Sequence, residues 1–265
     1  MSDYQTIRYQ RRGDIGTLTL ARPGKLNAQN PLMWEELARL GAALLPDQTL
    51  RCLVVTGEGR AFSAGIDLVE GMAGIVAGLD GDDTRAAGQA AAGAFSWIPG
   101  LSCASIAAVR GHAYGGGLQL ALACDFRIFA EGTKVGLTET RYGILPDMGA
   151  TVRLPRIVGE SRARELILLG DVIDAGEALR IGLANRVVAG ADLDAAAAGL
   201  AARLAAQPPI AVRGARRAID AAWHHGPEQS LRVALDEQLR CLESEDFQEA
   251  LRAMTEGRKP QWRGR

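Results

Sequence analysis

Residues 115–117 are three consecutive glycines, set between an apolar run from Ile106 to Val109 and a second from Leu118 to Ala123. Glycine gives up more conformational freedom on folding than any other residue, so a triplet at such a junction needs an offsetting gain. A tight turn that lets a helix pack closely on a strand is one. A backbone that approaches a ligand, with N–H groups at the positive end of a helix, is another, and it suits a developing oxyanion. The full segment, Gly111-His112-Ala113-Tyr114-Gly115-Gly116-Gly117, is not the dinucleotide fingerprint, and no Gly-Lys-Ser/Thr follows it as in a phosphate-binding loop. Both readings stay open on this segment alone. His112 and Tyr114 are expected to line the pocket or support it.

The surrounding chain alternates short apolar strands with helical patterns. Ile15 to Leu20 alternates as a strand and ends at Arg22-Pro23-Gly24; Pro31 opens a helix with Leu32, Leu37, Leu40 and Leu44 at helical spacing. Leu53 to Thr56, Ile106 to Val109 and Phe126 to Phe129 read as strands, Leu118 to Ala123 as a buried helix, and Gly71 to Asp83 as a loop. From Leu193 the pattern is almost wholly helical, broken at Pro208-Pro209 and Gly226-Pro227. A mixed α/β body over residues 1–192 and a helical region over 193–265 are expected.

Composition narrows the partners. A net charge of −1 gives no electrostatic reason to expect nucleic acid or an anionic membrane. Cys52, Cys103, Cys124 and Cys241 are scattered without a C-x-x-C pair, which argues against a zinc site or a disulfide framework and for a reducing, cytoplasmic setting. The longest uncharged run, Ala86 to Val109, holds Gln89, Pro99 and Gly100 and is too weakly apolar for a membrane span.

Two further segments are candidates for chemistry. Ala61-Phe62-Ser63-Ala64-Gly65-Ile66-Asp67-Leu68 follows a buried strand, and its small residues permit close approach to the backbone; a plain turn with Asp67 as helix cap is the alternative. Within Gly136 to Gly149, Glu139 and Asp147 stand eight apart in a stretch with Gly and Pro turns. Taken singly, such acids are solvated or capping groups.

Together, Ser63-Ala64-Gly65-x-Asp67-Leu68, Gly115-Gly116-Gly117 and Glu139, in this order, resemble the enoyl-CoA hydratase/isomerase (crotonase) superfamily. The likeness spans nearly the whole chain. It takes in Arg22-Pro23, Leu26-Asn27-Ala28, Ala123-Cys124-Asp125, Arg153-Leu154-Pro155-Arg156, Ala184-Asn185-Arg186-Val187-Val188 and Arg258-Lys259-Pro260-Gln261-Trp262. The resemblance implies an α/β crotonase-like (ClpP/crotonase) spiral of ββα units, with a helical C-terminal region that builds a homotrimer or a dimer of trimers. It implies an acyl-CoA thioester substrate, no metal and no redox cofactor. The oxyanion-hole N–H groups map to Ala64 and Gly116. The coenzyme A contacts map to Lys25, Leu26, Ala28, Ser63, Ile66, Asp67 and Leu68.

One position departs from the hydratase pattern. Hydratases of this family hold a water between two glutamates, and where the first would stand this chain has Gln119. An amide can orient a water but cannot exchange a proton with it. The second glutamate matches, at Glu139. Single-glutamate isomerases of the family carry their acid at the Glu139 position, and dienoyl isomerases add one at the Asp147 position. The expected activity is therefore a double-bond shift in an unsaturated acyl-CoA. Glu139 is its acid and base, Asp147 shares the proton or caps a helix starting near Met148, and Gln119 lines the pocket or holds water. Hydration of a 2-enoyl-CoA and non-catalytic acyl-CoA binding are the alternatives.

Overall fold

The computed structural model describes residues 4–71 and 82–265. The central strands are apolar on both sides because both sides are covered. β3 (Cys52–Gly57) and β4 (Ala104–Val109) are buried at nearly every position, whereas β2 (Ile15–Leu20) alternates. With β1 (Ile7–Arg12), β6 (Phe126–Ala130) and β9 (Arg186–Val188) they form a six-stranded sheet ordered β1-β2-β3-β4-β6-β9. Every neighbouring pair is parallel except the β1/β2 hairpin.

One face of this sheet is covered by α1 (Pro31–Leu44), α2 (Asp82–Ser96) and α3 (Gly116–Leu122). The α1 start follows from its residues: Pro31 presets the first turn, and the Asn30 side chain accepts the Met33 N–H at 3.0 Å. Gly41 in α1 leaves room for the Trp97 ring, whose atoms would lie 2.4 Å from an added Cβ. The loop expected over Gly71 to Asp83 lies outside the described residues except at its ends, where Asp82 and Asp83 already belong to α2. On the other face α7 (Leu193–Ala205) sets Leu193, Ala197 and Ala201 against Cys52, Val54, Ile106, Ala108 and Ile128. The sheet body therefore includes α7.

After β4 the chain crosses to a second, three-stranded sheet. In it β5 (His112–Tyr114) pairs in parallel with β7 (Lys134–Gly136), and β7 pairs antiparallel with β8 (Val172–Asp174). Helices α4 (Ala150–Val158), α5 (Glu160–Leu169) and α6 (Ala175–Arg180) follow around it. The chain ends in α8 (Pro209–Ala221), α9 (Pro227–Glu243) and α10 (Glu245–Glu256). Along α9 the residues Leu231, Leu235, Leu239 and Leu242 stay exposed, as do Phe247, Leu251 and Met254 on α10. Their spacing makes one apolar stripe per helix.

Cys52, Cys103 and Cys124 are free and buried, and Cys241 is half-buried. Burial pushes the Cys103 and Cys124 thiols up to about 12 and Cys52 higher still. Among the described residues no helix is long and apolar enough to cross a membrane, and no group of three or more His, Cys, Asp or Glu is placed to hold a metal.

Candidate active site

Two loops are knotted together where β2 and β3 end. Leu26 and Asn27 both take left-handed backbone conformations, with φ of 50° and 54°. The buried Asn27 side chain holds them there, donating to the carbonyls of Glu58 at 2.9 Å and Ala61 at 2.8 Å. Ser63 Oγ donates to the Asn27 carbonyl at 2.8 Å and accepts the Gly65 N–H at 3.2 Å. Arg22 donates to the Ala28 carbonyl at 2.6 Å and pairs with Asp67 at 3.0 Å. Burial pulls the Asp67 carboxyl upward, but the Glu70 N–H and Arg22 outweigh it and hold the group below the usual carboxylate range.

The Ser63 and Asp67 side chains are thus consumed within the protein, and they shape the backbone of residues 63–68. Lys25 is exposed at the end of a short 3-10 helix, and Leu68 is exposed too.

A cavity of about 400 Å³ opens beside this backbone. Ala64, Gly65, Ile66 and Leu68 form one wall, Tyr114, Gly115 and Gly116 the next, and Thr138, Glu139, Tyr142, Ile144 and Val172 the rest. The glycines make these walls meet. Gly65, at φ +96°, passes so close to the second wall that a Cβ there would lie 2.7 Å from the Tyr114 carbonyl. A Cβ on Gly116 would lie 2.9 Å from Gln29 Oε1, and one on Gly117 would lie 2.6 Å from the Ser63 carbonyl. Both readings of the glycine triplet are therefore realised: close packing, and backbone exposed to a cavity.

The N–H groups that face this space differ from the expectation at one position. The Ala64 N–H donates to the Leu26 carbonyl at 2.9 Å, so it has no capacity left for a ligand. Two residues on, the bridge to Gln29 uses the Gly65 carbonyl and the Asp67 N–H, both at 2.7 Å. The Ile66 N–H between them has no acceptor among the described residues, and neither has the Gly116 N–H at the start of α3. Ile66 replaces Ala64 as the donor opposite Gly116. The sequence does not show that the turn at Leu26 takes up the Ala64 N–H.

Glu139 opens a 3-10 helix that runs to Tyr142, and it is buried. Gln119 Nε2 donates to Glu139 Oε1 at 2.9 Å. Glu139 Oε2 is buried with no partner among the described residues. Burial raises the Glu139 pKa above its ordinary value, hydrogen bonds from its own backbone and Gln119 oppose the shift, and the charge of Asp147 adds to it.

The other two expected catalytic groups sit elsewhere. Gln119 is 1% exposed and stands behind Glu139 instead of on the cavity wall, with its Oε1 accepting the Ala150 N–H at 3.2 Å. Asp147 is exposed and also off the wall. It does not cap the following helix, because α4 begins at Ala150 with Gly149, at φ +105°, in the cap position.

Sequence reading missed Gln29. This fully buried amide donates to the Gly116 carbonyl at 3.0 Å and accepts from Trp34 Nε1 at 3.2 Å, pinning the glycine turn. It also missed the link between His112 and Tyr114. Their rings stack 5.2 Å apart, with the Tyr114 hydroxyl 3.1 Å from His112 Nδ1.

Two sheets in series, a helical tail and a cavity with paired backbone donors beside one buried carboxylate describe an enzyme of the crotonase fold. A family profile described as "Enoyl-CoA hydratase/isomerase" matches residues 10–265. The chain is 36% identical over 265 residues to "Probable enoyl-CoA hydratase echA8" of Mycobacterium tuberculosis, covering 98% of each chain. A crystal structure of a putative enoyl-CoA hydratase from Streptomyces coelicolor superposes with a TM-score of 0.95 at 34% identity, over 100% of this chain and 96% of that one. A putative enoyl-CoA hydratase from Thermobifida fusca, solved in complex with acetoacetyl-CoA, gives 0.83 at 37% identity, over 89% and 94%. The chain belongs to the enoyl-CoA hydratase/isomerase family.

Proposed function

We propose that this protein shifts a double bond within an unsaturated acyl-CoA, with Glu139 as the single acid and base. The observation that carries this reading is Glu139, the one acidic side chain lining the cavity among the described residues, whose buried Oε2 has no partner. A thioester α-proton is too weakly acidic to leave unaided at neutral pH. With the thioester oxygen between the Ile66 and Gly116 N–H groups, the enolate charge meets two fixed donors, each worth roughly 10²–10³ in rate. Glu139 Oε2 takes a proton from C2 of a 3-enoyl thioester; the C–H electron pair becomes the C1–C2 π bond, and the thioester carbonyl pair moves onto the oxygen. Glu139 then returns the proton at C4, giving the 2-enoyl isomer. The reaction is redox-neutral and needs no cofactor beyond the coenzyme A of its substrate. The CoA portion lies along residues 63–68, with Leu26 and Ala28 beneath it and the exposed Lys25 ammonium available to its phosphates. The exposed apolar stripes of α9 and α10 support assembly through the helical tail, as a homotrimer or a dimer of trimers.

The names of the relatives favour a second reading, hydration of a 2-enoyl-CoA. It needs a water held by Gln119 and Glu139, and the position of Gln119 behind the wall weighs against it. Incubation with a 3-enoyl-CoA separates the two. Conjugated-enoyl absorbance without a mass change supports isomerisation. Conversion of a 2-enoyl-CoA to a product heavier by one water, with no isomerisation, replaces it by hydration.

A further inference from the structure

The cavity wall is apolar along Ile66, Leu68, Ile144 and Val172, and Tyr114 interrupts it. His112 and Tyr114 are two apart on β5, so both side chains stand on one face of the small sheet. The register carries that face across three strands. Tyr114 lies beside Gly136, which lies beside Val172; in the next row His112 lies beside Lys134, which lies beside Asp174. A Cβ on Gly136 would lie 2.8 Å from the Asp171 carbonyl and 3.1 Å from Val172 Cγ2, so Val172 folds over the glycine beside Tyr114, and the second row continues along the same face. Lys134 is exposed there and makes no ion pair among the described residues.

We propose that Tyr114, held by His112, selects acyl groups bearing an oxygen function beyond the reacting carbons, in preference to plain hydrocarbon chains. The inference rests on the acyl-CoA reading above. The phenol keeps a free hydrogen-bonding valence in either tautomer of His112: donating to Nδ1 it accepts from a substrate hydroxyl, and accepting from Nδ1–H it donates to a substrate oxygen. Burial raises the Tyr114 pKa, which keeps the phenol protonated. A hydrocarbon tail against it displaces water from the hydroxyl and returns no hydrogen bond, whereas an oxygenated tail replaces the water. A hydroxyl satisfies the phenol alone; a carboxylate also draws on Lys134.

Saturated esters read this selection without turnover. Calorimetric titration of the purified protein with pentanoyl-CoA, 5-hydroxypentanoyl-CoA and glutaryl-CoA compares three acyl groups of equal carbon count. At least one oxygenated ester is expected to bind about tenfold tighter than pentanoyl-CoA, the effect of one good hydrogen bond. Tyr114→Phe is expected to bring that ratio close to one. A preference for glutaryl-CoA that falls in Lys134→Gln assigns the carboxylate as the oxygen function; a preference for the hydroxy ester that survives Lys134→Gln assigns the hydroxyl. Equal affinity for all three esters, or an unchanged ratio in Tyr114→Phe, overturns the proposal and leaves the acyl-CoA reading standing. Failure to bind any ester removes both.

Discussion

The Gln119 amide has its two ends fixed by different neighbours: Oε1 accepts the Ala150 N–H at 3.2 Å and Nε2 donates to Glu139 Oε1 at 2.9 Å. An amide held this way cannot flip without burying two mismatched pairs. The arrangement commits Glu139 Oε1 to accepting and leaves Oε2 without a partner among the described residues.

Glu139→Gln removes the base and keeps the shape. Isomerisation should fall by about 10²–10⁴, the usual contribution of a positioned acid or base, and steady-state conversion of a 3-enoyl-CoA measures it. Wild-type activity in this variant would rule out Glu139 as the acid and base.

The same group sets a pH dependence. With Glu139 as the base, the ionised form is the active one, so wild-type kcat/KM should rise with pH through an inflection above the ordinary 4.5. For stability the sign is opposite. A carboxyl whose folded pKa exceeds its unfolded value contributes stability below 4.5, and that contribution is lost as pH rises through the folded pKa. Glu139→Gln should therefore melt higher than wild type at neutral pH, with the gap closing toward pH 4. Melting curves across that range check it.

Gln119→Glu places a second carboxyl 2.9 Å from the first, at hydrogen-bond distance. Two buried carboxyls this close cannot both ionise readily, so the activity inflection should move to higher pH. A pH–rate profile reads the shift, and product mass shows whether the variant gains hydration, the outcome the second functional reading requires.

Gly117→Ala tests the close approach of α3 to the loop after β3. Its Cβ would sit 2.6 Å from the Ser63 carbonyl and 2.8 Å from Ser63 Cβ, and the backbone partner cannot swing away. A loss of roughly 1–3 kcal/mol in denaturant unfolding is expected, typical of overpacking.

Leu235→Glu puts a charge in the middle of the α9 stripe. If the stripe is an interface, light scattering should show a smaller assembly than the wild type at equal concentration. An unchanged mass excludes that face.

Much of this was legible in the sequence because it depends on local rules. Apolar runs of four to six residues gave the buried strands, and Pro31 gave the α1 start. The glycine triplet marked a close approach, and the family resemblance singled out Glu139, which the structure sets on the cavity wall. What stayed hidden depends on contacts across long separations. Ala64 and Ile66 are indistinguishable by residue type; only the left-handed turn at Leu26, more than thirty residues earlier in the chain, takes one N–H and spares the other. Likewise nothing near Gln119 shows that Ala150 will fix its amide. Val172 joins the cavity through the pairing of β7 with β8, which no local pattern encodes.

The buried cysteines have a practical corollary. With Cys52, Cys103 and Cys124 sealed in the core and their protons held by burial, the native protein presents almost no reactive sulfur, and Cys241 is the half-buried remainder. A colorimetric thiol reagent added to a running reaction therefore reports coenzyme A set free, over a low background. Any thioester cleavage by this protein would be visible directly, without first removing its own cysteines.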